Sequence, residues 1–179
     1  FAEIGALTRA AGAILVLDAV QAAGRIPLDI SASNADFFIL SGHKIGGPKG
    51  AGAIVGASDL MMPAPLLRGG GQEKGHRGGT ENVAGLAGFG AAAKAALAGL
   101  KRVDAMRALR DHAEAAVIDA GGEVFARGAP RLANTLCFAL PGLKAETVQI
   151  AFDLEGVAIS AGSACSSGKV GASKVLKAM

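Results

Sequence analysis

Two stretches decide the fold of this chain: Ala13-Ile-Leu-Val-Leu-Asp18-Ala-Val-Gln21 and Asp36-Phe-Phe-Ile-Leu-Ser41-Gly-His43-Lys44. Each opens with an apolar run of strand length and closes with polar side chains. In open α/β sheets, functional side chains gather where parallel strands reach their carboxyl ends. The pattern therefore predicts strands at 13–17 and 36–40 that bring their polar ends to one edge of a sheet.

Helix and strand signals alternate around these two strands. In chain order they are a helix that ends near Gly12, the two strands, an apolar run at 51–55, a loop rich in glycine and proline at 63–80, and helices at about 81–100 and 103–120. Alternation of this kind favours an α/β fold in which a mainly parallel sheet is covered by helices.

The remaining signals are shorter and predict a smaller α+β domain. They are strands near 122–126 and 132–140, a helix at 145–155 and a strand at 157–159. We therefore expect two domains, at 1–100 and 101–179. Because the chain begins and ends inside helical patterns that lack capping signals, we expect it to be part of a longer protein.

Composition argues against several kinds of function. The net charge of +3 is spread along the chain, and Trp and Tyr are absent, which speaks against a nucleic-acid partner. We find no apolar run near the ~18 residues of a membrane span and no basic-then-apolar leader. Two cysteines, Cys137 and Cys165, are too few for a disulfide framework. We expect a cytoplasmic protein without a membrane segment or a metal site.

The polar residues after the two strands suit pyridoxal phosphate chemistry. The amine of Lys44 can hold the aldehyde as a Schiff base, and the carboxylate of Asp18 can keep the ring nitrogen protonated so that the ring absorbs electrons. Such a lysine must be partly desolvated, so we expect burial for Lys44 and exposure for Lys49. Asp18 could instead cap a helix, but Lys44 downstream favours the cofactor role.

Four segments resemble the cysteine desulfurases, in the class V aminotransferase group of pyridoxal phosphate enzymes. They stand in the family's order and are Asp18-Ala-Val-Gln21, Ser41-Gly-His-Lys44, Gly69-Gly-Gly-Gln-Glu-Lys-Gly-His-Arg-Gly-Gly-Thr-Glu-Asn82 and Ser160-Ala-Gly-Ser-Ala-Cys165-Ser-Ser-Gly168. The resemblance implies a pyridoxal phosphate-dependent transferase fold. It makes 1–100 the C-terminal part of the large cofactor-binding domain and 101–179 most of the small domain.

The resemblance also implies further contacts with the cofactor. Gln21 would bond the phenolic oxygen of the ring, Ser41 and His43 would hold the phosphate, and Thr80 would contact the phosphate bound by the other subunit of a homodimer. His43 could instead be a satisfied loop histidine, and Thr80 could cap a helix that begins at Glu81. Gly78 stands where many relatives have serine, which puts the local hydrogen bonding in question.

Cys165 decides the reaction that the resemblance implies. It lies among small polar residues in what we expect to be an exposed, mobile loop, whereas Cys137 lies in an apolar run and is expected in the core. The resemblance implies that L-cysteine is converted to L-alanine while Cys165 takes the sulfur as a persulfide. The sulfur then passes to an acceptor protein such as an iron–sulfur scaffold.

Two other interpretations stay open. Another class V enzyme, a selenocysteine lyase or an aminotransferase, would share Asp18 and Lys44 but would not require Cys165. The chain could also be an inactive fragment that keeps only the fold or a dimer surface. The family's ring-stacking histidine, a phosphate loop and the carboxylate-binding arginine are not found in this sequence.

Overall fold

The structure, a computed structural model, describes residues 1–59, 62–162 and 173–178. Contacts within it define two compact units. Unit 1 comprises Phe1–Arg107 with Leu132–Asn134, and unit 2 comprises Ala108–Arg131 with Thr135–Met179. The division into domains at residue 100 stays a prediction. Cys165 and the loop predicted around it lie outside the described residues.

The sheet of unit 1 has three strands, in the order β1 (Val16–Asp18), β2 (Phe37–Ser41) and β3 (Gly52–Gly56). β1 and β2 run parallel, as predicted. The short helix α2 (Ile30–Ser33) lies in the crossover between them, and the Asp29 carboxylate caps it by accepting from the Ala32 amide at 3.0 Å. The core of the sheet is the buried cluster of Leu15, Ala19, Ala35 and Phe38.

β3 runs antiparallel to β2, with Ser41 opposite Gly52. The connection, residues 42–51, is shorter than the dozen or so residues that a parallel crossover needs. It reverses direction through a 3₁₀ turn at Gly42–Lys44 and through Gly46 and Gly50, which both have positive φ. One pairing in this sheet is therefore parallel and the other is antiparallel.

Helix α1 (Ala2–Ala10) packs on the end of α2 at a point where only glycine fits. A Cβ at Gly5 would lie 2.4 Å from the Ser33 carbonyl oxygen and 2.6 Å from the Asn34 Cβ. Asn34 itself ends α2 in the left-handed region, with φ of 55°. The close crossing explains why Gly5 is buried on a helix whose other residues are exposed, apart from the half-buried Thr8.

Helix α3 (Val83–Gly99) consists almost entirely of apolar and small residues, and it contacts the Gly42–Lys44 turn. It is followed by a 3₁₀ turn at Leu100–Arg102 and by α4 (Val103–Asp119). By length and hydropathy alone, 1.5 over its most apolar window, the helical segment Val83–Asp119 could span a membrane. Core helices of soluble proteins meet the same criterion, and α3 carries Lys94 near its middle.

Unit 2 contains a two-stranded antiparallel sheet, β4 (Glu123–Val124) and β5 (Phe138–Ala139), and helix α5 (Ala145–Leu154). The rings of Phe138 and Phe152 lie 6.3 Å apart between their centroids and join β5 to α5. Helix α6 (Lys174–Ala178) ends the described chain. The predicted strand at 157–159 is not formed.

Cys137 is exposed, so its predicted place in the core is wrong. Its carbonyl accepts from the Phe125 amide at 2.9 Å, which extends the β4–β5 pairing by backbone contact alone. Side chains alternate between the faces of a strand, so Cys137 faces away from the side on which Phe138 meets α5.

Candidate active site

The carboxyl ends of β1 and β2 lie side by side. Asp18, the last residue of β1, pairs with Ile39, two positions before Ser41 at the end of β2. The Ala19 amide donates to the Ile39 carbonyl at 3.0 Å and extends the pairing beyond the strand. The predicted sheet edge is therefore formed, and both polar segments leave from it.

The Asp18 carboxylate is exposed at this edge. Its Oδ1 accepts a hydrogen bond of 3.0 Å from the Val20 amide, the contact of an Asx turn. Residues 20–25 continue as turns and not as a helix, so the alternative in which Asp18 caps a helix is wrong. The bond orients the carboxylate and leaves it accessible to a ligand.

Ser41 and His43 form a hydrogen-bonded pair, with 2.9 Å between the serine Oγ and the histidine Nδ1. Ser41 is half-buried and His43 is exposed. With Nδ1 engaged by the hydroxyl, the second ring nitrogen, Nε2, is directed away from this bond. The bond satisfies His43 within its own loop and also fixes its ring, so it is compatible with both interpretations of this residue.

Lys44 closes the 3₁₀ turn after β2 and is half-buried, whereas Lys49 in the same connection is exposed. Both lysines have the exposure expected from the sequence. Gly47 contributes to the close packing here, because a Cβ at that position would lie 3.0 Å from the Gly42 carbonyl oxygen and 3.1 Å from the Ala92 Cβ. The glycines at 42 and 47 therefore let the connection that carries Lys44 pack closely against α3.

Arg25 connects the two polar segments, and sequence reasoning did not single it out. Its Nη1 donates to the Gln21 carbonyl at 2.8 Å and its Nη2 donates to the Lys44 carbonyl at 3.2 Å. Arg25 is half-buried, and Gln21 is exposed. The only signal in the sequence is an arginine four positions after Gln21, directly behind a glycine that can turn the chain.

Lys44 also lines a cavity of about 480 Å³ within unit 1. Its other walls come from the turn after β1, from the end of α3 and from the start of α4, and they are mostly small or apolar. Of the predicted site residues that the structure describes, Lys44 alone lines this cavity. Asp18, Ser41, His43 and Lys44 therefore lie at an open sheet edge and not around one closed pocket.

Thr80 is exposed in the loop before α3, and the alternative in which it caps a helix that begins at Glu81 is wrong. The helix begins at Val83, and Asn82 is its N-cap, with its Oδ1 accepting from the Gly85 amide at 3.0 Å. The Thr80 carbonyl accepts from the Nη1 of Arg77 at 3.1 Å, and the Gly79 carbonyl accepts from the same nitrogen. Arg77 thus holds the backbone on which Thr80 is carried.

An ion pair joins the same loop to the segment that follows β3. The Lys74 ammonium donates to Asp59 Oδ2 at 2.6 Å, and this hydrogen bond lowers the pKa of Asp59 and raises the pKa of Lys74. Both side chains are more than three-quarters exposed, so water and salt screen the pair. In the described part of the chain, no group of three or more His, Cys, Asp or Glu side chains could hold a metal ion.

A family model described as aminotransferase class-V matches residues 1–178. The chain belongs to the class V aminotransferase family. Its similarity to named members is substantial. The chain is 41% identical over 179 residues to cysteine desulfurase 2 of Trichormus variabilis and 39% identical over 180 residues to cysteine desulfurase NifS of Azotobacter vinelandii, with 99% of the chain covered in each case.

Solved structures of this family have the same fold. The chain superposes on a NifS-like protein from Rickettsia africae with a TM-score of 0.84 at 36% identity, over 90% of this chain and 45% of that one. The fold is therefore that of the pyridoxal phosphate-dependent transferases, as predicted. The chain spans less than half the length of these family members, covering 45% of the Trichormus enzyme and 44% of the Azotobacter enzyme.

Gly78, in the loop before α3, lies where two backbone segments cross closely. Gly78 is buried, and its amide donates to the Leu67 carbonyl at 2.9 Å. A Cβ at this position would lie 2.8 Å from the Gly69 oxygen, 3.0 Å from the Leu67 oxygen and 3.1 Å from the Arg68 oxygen. The segment 67–69 therefore passes too close for a side chain at position 78, which accounts for the glycine there.

Proposed function

We propose that the protein is a cysteine desulfurase that converts L-cysteine to L-alanine with the help of pyridoxal 5′-phosphate. The observation that supports this most is the parallel register of β1 and β2, because it brings Asp18 next to the strand that leads into Ser41, His43 and Lys44. Similarity to enzymes named cysteine desulfurase along 99% of the chain supports the same assignment.

The residues at the sheet edge fit this cofactor in chemical type. A half-buried lysine, an oriented carboxylate and a hydroxyl–imidazole pair stand on adjacent strand ends. When bound, pyridoxal phosphate supplies an electron sink for the substrate's α-carbon. Lys44 would bind the aldehyde and then move the α-proton, and Asp18 would hold a proton at the ring nitrogen. Gln21 would bond the phenolic oxygen, and Ser41 and His43 would bind phosphate oxygens.

Cys165 would carry the sulfur. As a thiolate it would form a bond to the substrate's sulfur while the substrate's carbon–sulfur bond breaks and its electron pair stays with the organic product. Protonation then yields alanine, and a persulfide remains on Cys165. An acceptor protein, such as an iron–sulfur scaffold, would take the outer sulfur and return the thiol.

The setting of the enzyme follows from the same proposal. Thr80 would contact the phosphate held by a second subunit, so the active form would be a homodimer with shared sites in the cytoplasm. Residues 1–100 would belong to the large cofactor-binding domain and residues 101–179 to the small domain. Arg77, through its bonds to the Gly79 and Thr80 carbonyls, would hold Thr80 in place for that contact.

The test is to supply L-cysteine to the natural full-length protein and to measure alanine and sulfide. We expect both products, and we expect Lys44→Ala to abolish them while Lys49→Ala, which alters an exposed lysine of the same connection, does not. Cys165→Ser should retain the cofactor and lose sulfur transfer. Borohydride reduction and peptide mapping should place the cofactor on Lys44.

Other outcomes would contradict the proposal in distinct ways. Label on Lys49 would disprove the assignment of the lysine, and a persulfide trapped on Cys137 would disprove the assignment of the thiol. Turnover of selenocysteine or of an amino-group acceptor that survives Cys165→Ser, with no turnover of cysteine, would point to a different class V enzyme.

A further inference from the structure

Arg25 holds two backbone carbonyls with a single guanidinium group. One belongs to Gln21, in the turn that follows Asp18, and the other belongs to Lys44. Because the guanidinium is planar and its donors are fixed, the separation of the two carbonyls is fixed as well. Among the described residues, no carboxylate forms an ion pair with Arg25. Its donors are thus directed to the backbone.

Helix α3 supports the same two segments. Gly24, with φ of 71°, brings the turn so close to α3 that a Cβ there would lie 2.9 Å from the Ala96 Cβ. One helical turn earlier, Ala92 lies against Gly47 in the connection that carries Lys44. Both segments rest on one row of alanines, and the guanidinium joins them directly. Neither can shift without breaking a bond to Arg25 or separating from α3.

We propose that Arg25 is a positioning residue for Lys44. It acts through the backbone: the guanidinium sets the distance between the segment that offers the Asp18 carboxylate and the segment that offers the Lys44 amine. This inference rests on the proposed function, since it assumes that both groups serve one cofactor. A misplacement of about 1 Å in such a pair can cost on the order of 100-fold in rate.

The test replaces Arg25 by methionine, which keeps most of the length of the side chain and removes every donor. The matched control is Arg9→Met, an exposed arginine on α1 in the same unit. In the natural full-length protein, we measure the rate at which pyridoxal phosphate plus borohydride labels Lys44 and the pH midpoint of the cofactor's visible absorbance. Labelling by Arg25→Met should be at least about 10-fold slower, with a shifted midpoint. Arg9→Met should stay within about twofold of the unmodified protein.

Arg25→Lys extends the test and covers the case in which Arg25→Met does not fold. An ammonium still donates to a carbonyl but lacks the planar fork. The labelling rate of Arg25→Lys should therefore lie between the rates of the unmodified protein and of Arg25→Met. If Arg25→Met does not fold, the rate of Arg25→Lys should still be lower than that of the unmodified protein. Labelling and a pH midpoint equal to those of Arg9→Met, in a folded Arg25 variant, would overturn the proposal. Failure to label Lys44 in the unmodified protein would instead disprove the proposed function, and this inference with it.

Discussion

At the scale of single residues, Gly78 shows how a missing side chain sets the path of a loop. Three carbonyl oxygens of residues 67–69 occupy the space where its Cβ would lie. Gly78 lies between Arg77 and the Gly79 and Thr80 carbonyls to which the Arg77 side chain donates, so its position fixes where those bonds form. Glycine at this position is therefore explained by local geometry.

We predict that Gly78→Ser destabilises the protein by about 1–3 kcal/mol, because the new atoms must displace backbone oxygens and cannot push aside a flexible side chain. Gly71→Ala is the matched control in the same loop, since no atom lies within 4 Å of its added Cβ and its φ is not positive. Urea unfolding of the natural full-length protein measures both. Equal unfolding midpoints for the two variants would contradict the close approach of residues 67–69 to Gly78.

At the scale of elements, an ion-pair cluster secures α4 to the segment that follows β4. Glu114, with only 8% of its surface exposed, pairs with Arg131 at 2.7 Å and with Arg127 at 3.2 Å. The Nη1 of Arg131 is buried and has no hydrogen-bond partner in the described part of the chain. The cluster therefore depends on a single carboxylate to offset a largely buried guanidinium.

Glu114→Gln should cost about 3 kcal/mol, because it leaves the charge of Arg131 uncompensated in a place that water hardly reaches. Asp104→Asn is the control on the same helix: its pair with Arg107 is exposed, and its loss should cost less than about 1 kcal/mol. Urea unfolding midpoints measured at low and high salt would distinguish the effect of Glu114→Gln from that of Asp104→Asn. A loss for Glu114→Gln that vanishes in high salt would show that the cluster is solvated.

The elements also show what the sequence could and could not predict. Helices α3 and α4 lie within one or two residues of the predicted ranges at most ends, because long alanine-rich runs have a strong helical signal. The parallel pairing of β1 with β2 followed from their polar ends. The direction of β3 did not, since it is set by the positive φ of Gly46 and Gly50, which residue type permits but does not dictate.

The candidate site was predictable to a similar extent. Polar residues at strand ends were found because a motif places them there, and the contrast between Lys44 and Lys49 followed from their neighbours. The bonds of Arg25 to two carbonyls were not predictable, since side-chain contacts with the backbone leave no periodic pattern in a sequence. Cys137 was misplaced because an apolar run does not reveal which face of a two-stranded sheet is covered.

At the scale of the whole molecule, the amount of exposed apolar surface is the main finding. Many large apolar side chains among the described residues are exposed to solvent. Large apolar side chains at helical spacing are exposed on α1 (Ile4, Leu7) and on α5 (Ile150, Leu154). Surfaces of this kind normally mark contacts with other protein segments.

We therefore predict that the 179-residue chain, produced by itself, associates in solution and neither holds pyridoxal phosphate tightly nor turns over cysteine. At roughly 25 cal/mol per Å², covering these faces would contribute many kcal/mol, so the isolated chain gains by burying them against other copies. The predicted site residues would meanwhile remain at an open sheet edge, where a lysine-bound aldehyde is readily hydrolysed by water.

Light scattering, binding of a fluorescent apolar dye and alanine release, each compared with the natural full-length protein, measure the three parts of this prediction. Replacing Ile150 and Leu154 by glutamine should reduce association without altering the sheet edge, since α5 belongs to unit 2 and the edge to unit 1. Ala92→Leu should disturb the sheet edge and leave association unchanged. The larger side chain forces α3 away from Gly47 and the Lys44 connection, and the exposed faces stay as they are. An isolated chain that is monomeric, does not bind dye and releases alanine as fast as the full-length protein would mean that its exposed faces need no cover and that the open sheet edge suffices for catalysis.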